Sequence, residues 1–450
     1  MSAAAALPLD VLPLILEHLA DRRDLCTCAQ LSKVFHYAAT PLLYRTLDVR
    51  ITTHKGLEAS VVHPSITILQ KPEYAKHVRH VSETASVGCY RPDLLEGSLK
   101  ALRMYVNLEG FTWSGDMAEG SSGEREFMSY LDILRELPVR ELVMRTFYGL
   151  SDDVWEALHA FTGLHKVSIW CMEGKPRILQ GWSEKLGESL THLELGRCSG
   201  VPASILITVL AHLPRLRALR LKGASSAAIL EILTFLPHLH SLDTEYFGAA
   251  ALSRYDDIPA ARLRDLTVRT STVDPQGLQQ LWTWIRRLTP APSLESFTLN
   301  AFSTAGEQFI PRGFLLDMAT IHKDTLKHFT ADSTQMSLAD VECLCTLFPA
   351  LETLSCSTIW SPEGTPYEAV VAKANNLRTL RFYQSKWRRG ESDAIIKSVR
   401  NMMLRESSVL RLIGIGNLIY IGRWVCKTDE DGTNRVEFDI VSGVMQDTWD

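Results

Sequence analysis

The sequence has little excess charge, no long apolar run and no cysteine spacing that resembles a disulfide framework. Among its 450 residues, 47 are lysine or arginine and 52 are aspartate or glutamate, so the formal net charge is only −5. Such a balance provides no electrostatic basis for binding nucleic acid or an anionic membrane. No run reaches the roughly 18 uninterrupted apolar residues that a membrane-spanning helix requires, and we predict no membrane span.

The cysteines argue against a secreted protein. There are nine, an odd number, and their spacing does not resemble a disulfide framework, which indicates a reducing compartment. The first residues, MSAAAALPLD, carry no basic segment, and Asp10 and Glu17 interrupt the apolar stretch, unlike the pattern of a secretory signal. We therefore expect an intracellular protein, located in the cytoplasm, the nucleus or both.

Catalytic, nucleotide-binding and metal-binding motifs are also missing. The C-x-C pairs Cys26/Cys28 and Cys343/Cys345 are spaced more closely than the cysteines of a structural zinc site. Both pairs fall in helical segments, and we interpret them as buried apolar residues. The sequence contains neither G-x-x-x-x-G-K-[ST] nor G-x-S-x-G. We expect no cofactor, no metal and no enzymatic activity.

One apolar pattern recurs along most of the sequence. An apolar residue is followed by a second three positions later and a third two positions after that, as in Leu190, Leu193 and Leu195. The last two share one face of a strand, because side chains alternate sides along β structure. Fourteen such triples, the first few loose, span 366 residues in thirteen steps of about 28, a period typical of leucine-rich repeats. Their first residues are Tyr44, Val78, Leu108, Val139, Leu164, Leu190, Leu216, Leu239, Leu263, Leu294, Leu326, Leu351, Leu377 and Leu410.

The segments between the triples predict helices. Those with clear helical spacing of apolar residues are residues 202–213, 225–236, 276–288, 338–348 and 393–404. A strand and a helix cannot bury their own apolar faces, whereas stacked units share a core. We predict an α/β fold in which residues 46–416 form a horseshoe-like leucine-rich-repeat solenoid. The alternative is an ordinary α/β fold with a parallel sheet, whose strands are usually longer and less evenly spaced.

The turns after the strands depart from the usual repeat. Three residues past the third apolar position, leucine-rich repeats usually have asparagine or cysteine. This sequence has Cys198 in one repeat but Ala224 and Phe247 in the next two. The turn backbone must then find other hydrogen-bond partners. We expect an irregular solenoid of uneven curvature.

Residues 1–45 predict a small module of three short helices. The apolar stripe of the first helix consists of Leu12, Ile15, Leu16 and Leu19. Asp21 and Asp24 are candidate N-caps for the second helix. The residues expected inside the module are Leu25, Leu31 and Phe35. About forty residues bury too little apolar surface to be stable alone, so the module must pack on the repeats, bind a partner, or do both.

The same segment resembles the F-box motif. The resemblance rests on Leu7-Pro8, Val11-Leu12, Ile15-Leu16, Leu19, Asp24-Leu25, Ser32-Lys33, Phe35 and the closing element at residues 41–45. In that element Tyr44 stands where many F-boxes have tryptophan. With the KPEYAKHVRH stretch at residues 71–80, the arrangement is similar to fungal, basidiomycete-type F-box proteins with leucine-rich repeats.

The resemblance implies a role in ubiquitin transfer. F-box helices dock on Skp1, which links them to a cullin, and the repeats hold a protein substrate. The chain would then be the substrate-recognition subunit of an SCF-type (Skp1-cullin-F-box) E3 ubiquitin ligase. The alternatives are a repeat scaffold without ligase function, capped by its N-terminal helices, and an intracellular ligand sensor. Docking would bury helices in a groove, and the candidate contacts are Leu7, Pro8, Leu12, Ile15, Leu16 and Leu19.

Strand alternation predicts the side chains of the concave face. They are Lys166, Trp170, His192, Glu194, Arg220, Lys222, Asp243, Glu245, Arg269, Asn300, His328, Asp332, Arg381 and Tyr383. Because the set mixes charges, we predict neither a strongly acidic nor a strongly basic ligand. Five members have the chemistry of binding hot spots and are the candidate substrate contacts: Trp170, Arg220, Arg269, Arg381 and Tyr383. For a single charged member, the alternative is a solvated strand face.

Segments outside the repeats are predicted from composition. Residues 51–70 and 114–126 read as loops, the second because it is rich in glycine, serine and acidic residues. Within residues 417–450, residues 418–427 and 435–442 predict two strands around an Asp431-Gly432 turn. Such a hairpin would cover the open end of the repeat core.

Overall fold

The computed structural model describes residues 10–19, 21–52, 60–85, 87–88, 91–115, 120–247, 261–270, 275–301, 309–358, 367–383, 392–428 and 434–444. Two of the predicted docking residues, Leu7 and Pro8, lie outside these ranges. The chain divides into two compact units. Unit 1 comprises Met1–Leu216 and Arg220–Lys222, and unit 2 comprises Arg217–Leu219 and Gly223–Asp450.

Unit 1 begins with three short helices, α1 (Val11–Leu16), α2 (Arg22–Leu31) and α3 (Lys33–Leu43). Asp21 caps α2 by accepting a hydrogen bond from the Arg23 backbone N–H, and Ser32 caps α3 through the N–H of Phe35. The helices enclose a small core of Leu12, Leu16, Leu25, Ala38 and Ala39. The three predicted helices and the cap at Asp21 are confirmed, and Phe35 packs against this core as expected.

Two residues expected inside this module are exposed instead. Leu31 is 65% exposed, and the Cys26 thiol is also at the surface. With 3.6 residues per turn, Leu31 lies about 120° and Cys26 about 100° around α2 from Leu25, which is the buried residue of that helix. A module this small buries only one side of each helix, so both predictions were wrong.

The rest of unit 1 alternates strands and helices. Its strands are β1 (Thr46–Asp48), β2 (Arg50–Thr52), β3 (Ser60–Val62), β4 (His80–Thr84), β5 (Gly110–Ser114), β6 (Glu141–Thr146), β7 (Lys166–Cys171) and β8 (His192–Leu195). Its helices are α4 (Ser65–Gln70), α5 (Pro92–Leu102), α6 (Ser122–Leu134), α7 (Asp152–Leu158), α8 (Ser183–Leu186) and α9 (Ala203–Ala211), with a 3-10 helix at Pro72–His77. β1 and β4 to β8 pair in parallel in that order, whereas β2 and β3 form a separate antiparallel pair. The next strand, β9 (Ala218–Leu221), contains the boundary between the units.

The predicted triples define the register of the parallel strands. Their second residues pair in succession and are all buried: Val81, Phe111, Leu142, Val167 and Leu193. The triple positions of neighbouring repeats therefore lie side by side and build one apolar layer against the helices. This confirms the repeat frame strand by strand. The side chains between the apolar positions lie on the opposite side of the strands, which we call the polar strand face.

Unit 2 continues the same arrangement. Its strands are β10 (Ser241–Tyr246), β11 (Asp265–Thr270), β12 (Ser296–Ala301), β13 (His328–Met336), β14 (Thr353–Thr358), β15 (Thr379–Tyr383), β16 (Leu412–Ile415), β17 (Leu418–Thr428) and β18 (Asn434–Val444). Its helices are α10 (Ser226–Phe235), α11 (Pro275–Leu288), α12 (Arg312–His322), α13 (Leu338–Leu347), α14 (Tyr367–Val371) and α15 (Ser392–Leu404). The strands from β10 to β16 are parallel neighbours. The chain is thus an α/β protein of the leucine-rich-repeat type, preceded by a helical module.

The last two strands form the predicted hairpin. β17 pairs antiparallel with both β16 and β18. Phe438 of β18 is buried, and its carbonyl accepts a hydrogen bond from Arg400 Nη2 of α15 at 2.9 Å. These contacts attach the hairpin to the last repeat helix. The two strands are confirmed, while the predicted turn at Asp431 and Gly432 lies outside the described residues.

The turns replace the missing asparagines with several partners. The Cys198 N–H donates to the Lys222 carbonyl at 2.7 Å, within unit 1. In unit 2, the Gly223 N–H donates to Glu245 Oε2 at 2.7 Å and the Phe247 N–H donates to Ser226 Oγ at 3.0 Å. Backbone, carboxylate and hydroxyl oxygens thus accept the hydrogen bonds of the turn N–H groups. The sequence predicted that the turns would use partners other than asparagine.

The two predicted loops are partly ordered into elements. Residues 51–70 contain β3 and α4. Ile68 of α4 is fully buried, so its side chain holds this helix against the rest of unit 1. Within residues 114–126, α6 begins early because Ser121 accepts a hydrogen bond from the N–H of Glu124, the spacing of a capping box. Both loop predictions were too long. None of the described helices has the length and apolar character needed to cross a membrane.

Candidate protein-interaction surfaces

The predicted docking stripe of the module divides between core and surface. Leu12 and Leu16 are buried within the module's own core, and Leu19 packs against it. Ile15 points outward and is 45% exposed. The first two side chains therefore stabilise the module from within, while Ile15 is available to a partner. Their contact with a partner stays a prediction.

Further apolar side chains of the three module helices are exposed, as Ile15 is. We call this group the outer apolar set: Leu14, Ile15, Leu31, Val34 and Tyr37. Sequence reasoning missed four of the five, because it assigned one apolar face to each helix. The available signal was that α1, VLPLIL, is apolar on more than one side. A second signal was the spacing of Val34 and Tyr37, three residues apart on α3.

A tight joint connects the module to the first repeat of unit 1. Arg22 Nη1 lies 3.7 Å from Asp48 Oδ2 of β1, and the rings of Tyr44 and Tyr74 lie 4.5 Å apart. Burial, followed by the neighbouring Tyr74 phenol, raises the pKa of Tyr44. The Arg45 carbonyl accepts hydrogen bonds from the backbone N–H groups just before and at the start of β4. The module is therefore joined to β4 by side-chain and backbone contacts.

Trp170 is the centre of a polar cluster on the polar strand face of unit 1. Its indole N–H donates to Glu194 Oε2 at 3.1 Å, and Ser168 Oγ donates to the same oxygen at 2.9 Å. The Arg220 guanidinium lies over the indole, with its central carbon 4.6 Å from the ring centroid. Lys222 Nζ lies 5.8 Å from the same ring. The cluster joins β7, β8 and β9 across the strands.

A glycine makes the position of Trp170 possible. Ile169 pairs with Leu195, so Trp170 lies beside Gly196 in the next strand position. A Cβ atom at Gly196 would stand 2.7 Å from two ring carbons of Trp170. The ring thus lies across the space that a side chain would occupy. The sequence signal for this contact was the glycine directly after the β8 triple.

Glu194 is the charged acceptor at the centre of this cluster. Burial raises the pKa of its carboxyl, but hydrogen bonds from Trp170 and Ser168 and the positive charges of Arg220 and Lys166 lower it further than burial raises it. The net effect is a pKa below the ordinary glutamate value. The carboxylate therefore stays ionised and fixes the indole while it balances the stacked Arg220.

The candidate contacts in unit 2 form two groups. Arg269 makes an ion pair with Asp243 on the neighbouring strand. Asp332 Oδ1 accepts a hydrogen bond from Ser355 Oγ at 2.7 Å, and Arg381 and Tyr383 interact with the same carboxylate. Burial raises the pKa of Asp332, and burial followed by the Asp332 charge raises that of Tyr383. Both groups are partly buried, as is common for polar clusters that hold a fixed shape.

All five candidate substrate contacts lie on the strands, and all five are partly exposed. Within unit 1 the structure brings Trp170 and Arg220 together, and within unit 2 it brings Arg381 and Tyr383 together. Arg269 is occupied by Asp243. Among the residues the structure describes, no cluster of three or more histidine, cysteine, aspartate or glutamate side chains is arranged to hold a metal ion.

Comparison with known proteins identifies the N-terminal module. Residues 4–50 match the F-box-like family model, and this segment is an F-box-like domain. The chain therefore combines an F-box-like domain with leucine-rich-repeat-type strands and helices. No curated protein matches the sequence.

Two solved structures illustrate the similarity to repeat proteins. The structure of a TLR13–ssRNA13 complex is 12% identical with a TM-score of 0.40, and the match covers 76% of this chain and 50% of that one. The yeast Rad7–Elc1 complex is 9% identical with a TM-score of 0.45, over 83% of this chain and 97% of that one. This chain thus spans half the length of the first protein. The repeat fold is defined by strand register and spacing, not by these likenesses.

Proposed function

We propose that this protein is the substrate-recognition subunit of an SCF-type E3 ubiquitin ligase. In this role the F-box-like domain docks on a Skp1-like adaptor and through it on a cullin, and the polar strand face holds a protein substrate. The protein itself would carry out no catalysis and would act inside the cell, in the cytoplasm or nucleus. The single observation that supports this most is the F-box-like match over residues 4–50, directly joined to a repeat array.

The outer apolar set is the best candidate for the adaptor contact. Exposed apolar side chains grouped on one small module usually mark an interaction site. Helices that carry them can be received by an apolar groove. Ile15 belongs to the predicted stripe and is exposed, whereas Leu12 and Leu16 act by shaping the module.

The test is binding of a purified Skp1-like adaptor to the full chain. The variant Ile15→Asp with Leu31→Asp places two charges on the exposed surface, so the fold is kept while docking is lost. We expect adaptor recovery to fall at least about tenfold. Val106→Asp, an exposed apolar position in unit 1 outside the module, is the matched control. A variant that still recovers the adaptor as the wild type does would disprove the proposal for this surface.

A buried position would not give a clear answer in this test. Leu16→Asp would place a carboxylate in the module's own core, and loss of binding could then come from unfolding. Circular dichroism of the Ile15→Asp/Leu31→Asp variant, compared with the wild type, confirms that the helices remain.

The tight joint also favours a second candidate function, a repeat scaffold whose N-terminal helices are only a cap. The observation is the packing of Tyr44 on Tyr74 together with the ion pair between Arg22 and Asp48 of β1. For a pure cap, the outer apolar set has no partner, and Ile15→Asp/Leu31→Asp would change no interaction. Deletion of residues 1–45 would then lower the melting temperature of unit 1 without releasing any bound protein.

A further inference from the structure

We propose that the polar strand face around Trp170 binds an acidic peptide segment that also carries an apolar side chain. This inference rests on the proposed function, since it names the chemical class of the substrate segment. It differs from the expectation from sequence, which predicted no charge preference because the whole set of strand residues mixes signs. Within unit 1, however, one row of the polar strand face carries two cations and no acidic residue.

Two exposed cations flank Trp170 along one row of the polar strand face. Arg145 pairs with Trp170, Gly196 follows on the next strand, and the Lys222 N–H donates to the Leu195 carbonyl at 2.9 Å. The row therefore reads Arg145, Trp170, Gly196, Lys222. Three strand spacings of about 4.8 Å place the backbones of the two cations roughly 14 Å apart. Within the described part of the chain, neither Arg145 nor Lys222 makes an ion pair with an acidic residue.

Glu194, which lies in the adjacent row of the polar strand face, is already engaged by its own partners. Glu194 faces Arg220, and its Oε2 accepts the hydrogen bonds of Trp170 and Ser168. One row further away, Glu141 and Lys166 occupy paired positions on β6 and β7 and bring one charge of each sign. Within the described residues, the positive charges of Arg145 and Lys222 are thus not neutralised by an ion pair. Exposed cations of this kind attract acidic partners and set their orientation.

An apolar shelf adjoins the charged row at the carboxyl ends of β6 and β7. Phe147 and Tyr148 follow β6, with their rings packed edge to face at 5.1 Å, and Met172 follows β7. Met172 is 59% exposed and Phe147 is 52% exposed. The Met172 N–H donates to the Phe147 carbonyl at 3.0 Å, and Arg197 donates to the Met172 carbonyl. Ordered and exposed large apolar side chains of this kind mark a binding site more often than a solvated surface.

The two cations and the apolar shelf together indicate which kind of peptide would bind. A peptide in extended conformation advances about 3.4 Å per residue. Carboxylates four residues apart therefore span about the distance between the Arg145 and Lys222 backbones, and the Lys222 ammonium, 5.8 Å from the Trp170 ring, also allows a closer spacing. An apolar side chain next to them would reach the shelf of Phe147, Tyr148 and Met172. A basic segment would instead meet the two positive charges, and an uncharged apolar segment would leave Arg145 and Lys222 without partners.

The test is selection of displayed peptides on the full chain. The probe is a library of random 12-residue peptides, and the readout is the composition of the bound sequences. We expect enrichment of aspartate and glutamate together with at least one aromatic or large aliphatic residue. A selected peptide, labelled with fluorescein, should bind the Arg145→Gln/Lys222→Gln variant about tenfold more weakly than the wild type. Its affinity should also fall as the salt concentration rises.

The matched control removes the same charge elsewhere in unit 1. Arg103 and Arg125 are exposed and lie at the end of α5 and within α6, so Arg103→Gln/Arg125→Gln should bind the peptide as the wild type does. Two results would overturn the proposal. They are selected peptides without acidic enrichment and equal binding by the Arg145→Gln/Lys222→Gln variant.

The outcome is independent of the proposed function. The same variants are measured for recovery of the Skp1-like adaptor, which the F-box-like domain would bind. Adaptor binding with no acidic peptide preference rejects only this inference. Peptide binding without adaptor binding rejects the ligase proposal and leaves the acidic-segment site in place.

Discussion

At the scale of single residues, the polar strand face of unit 1 depends on matched choices on neighbouring strands. Trp170 needs the space above Gly196, and Glu194 needs the indole N–H to stay ionised while partly buried. Arg220 needs both the ring and the carboxylate. A change at one of these residues therefore alters the others, as expected for a connected polar network.

The space over Gly196 gives the first residue-level prediction. In Gly196→Ala, the new Cβ would meet the Trp170 ring at 2.7 Å and its Cα at 2.9 Å. We expect a loss of about 1–3 kcal/mol in the free energy of unfolding, measured by urea denaturation. Gly313→Ala is the control, since a Cβ there meets nothing within 4 Å and alanine favours the helix. Equal stability of the Gly196→Ala protein and the wild type would show that the ring is not held in place.

Glu194 gives a prediction about pH. Because its pKa is lower in the folded state than in the unfolded chain, it contributes stability above the unfolded pKa. That contribution is lost as the pH falls below about 4.3, the ordinary glutamate value, and through the lower folded value. We expect the difference in unfolding free energy between the wild type and Glu194→Gln to be constant from pH 7 to pH 5. It should then shrink at lower pH. A difference that grows on acidification would contradict the assignment.

At the scale of elements, the repeats and the terminal hairpin are stabilised in different ways. A repeat strand is covered by a parallel neighbour on each side and by its helix. Among the described strands, the hairpin of β17 and β18 pairs only with β16, and the half of the hairpin beyond β16 is exposed on both faces. Its attachment to the repeat core therefore depends on a few buried side chains, namely Tyr420 of β17 and Phe438 of β18.

The element-level prediction concerns that attachment. Phe438→Ala removes a ring that packs on Trp424 at 5.1 Å and lies 5.9 Å from the Arg411 guanidinium. We expect a loss of about 3 kcal/mol or more, with faster amide hydrogen exchange in residues 418–444. Val436→Ala, at an exposed position of the same strand, should change neither. Unchanged exchange in the Phe438→Ala hairpin would show that it is held by its backbone ladder alone.

At the scale of the whole molecule, the sequence predicted which strand residues face the core of the repeats. It did not predict which of the other side chains are exposed and which are buried. Second positions such as Leu142 and Val167 could be placed because strand alternation and the repeat period are local properties. Glu83 fitted its apolar triple poorly for a reason that only folding reveals. It is buried and lies 3.2 Å from the His63 imidazole, twenty residues away in sequence. A buried carboxylate with a polar partner can stand in an apolar layer.

The sequence by itself determined the α/β repeat period, the F-box-like helices and the hairpin strands, since each follows from spacing within a few residues. Only the tertiary structure decided which module side chains are left outside, because burial depends on how three helices meet and not on one helix's stripe. It also decided that Trp170 lies over Gly196 and under Arg220, whose positions are 26 and 50 residues further along the chain. Stacked repeats bring such residues into contact, because equivalent positions of neighbouring repeats lie on adjacent strands. These contacts determine which charged side chains lie together on the polar strand face.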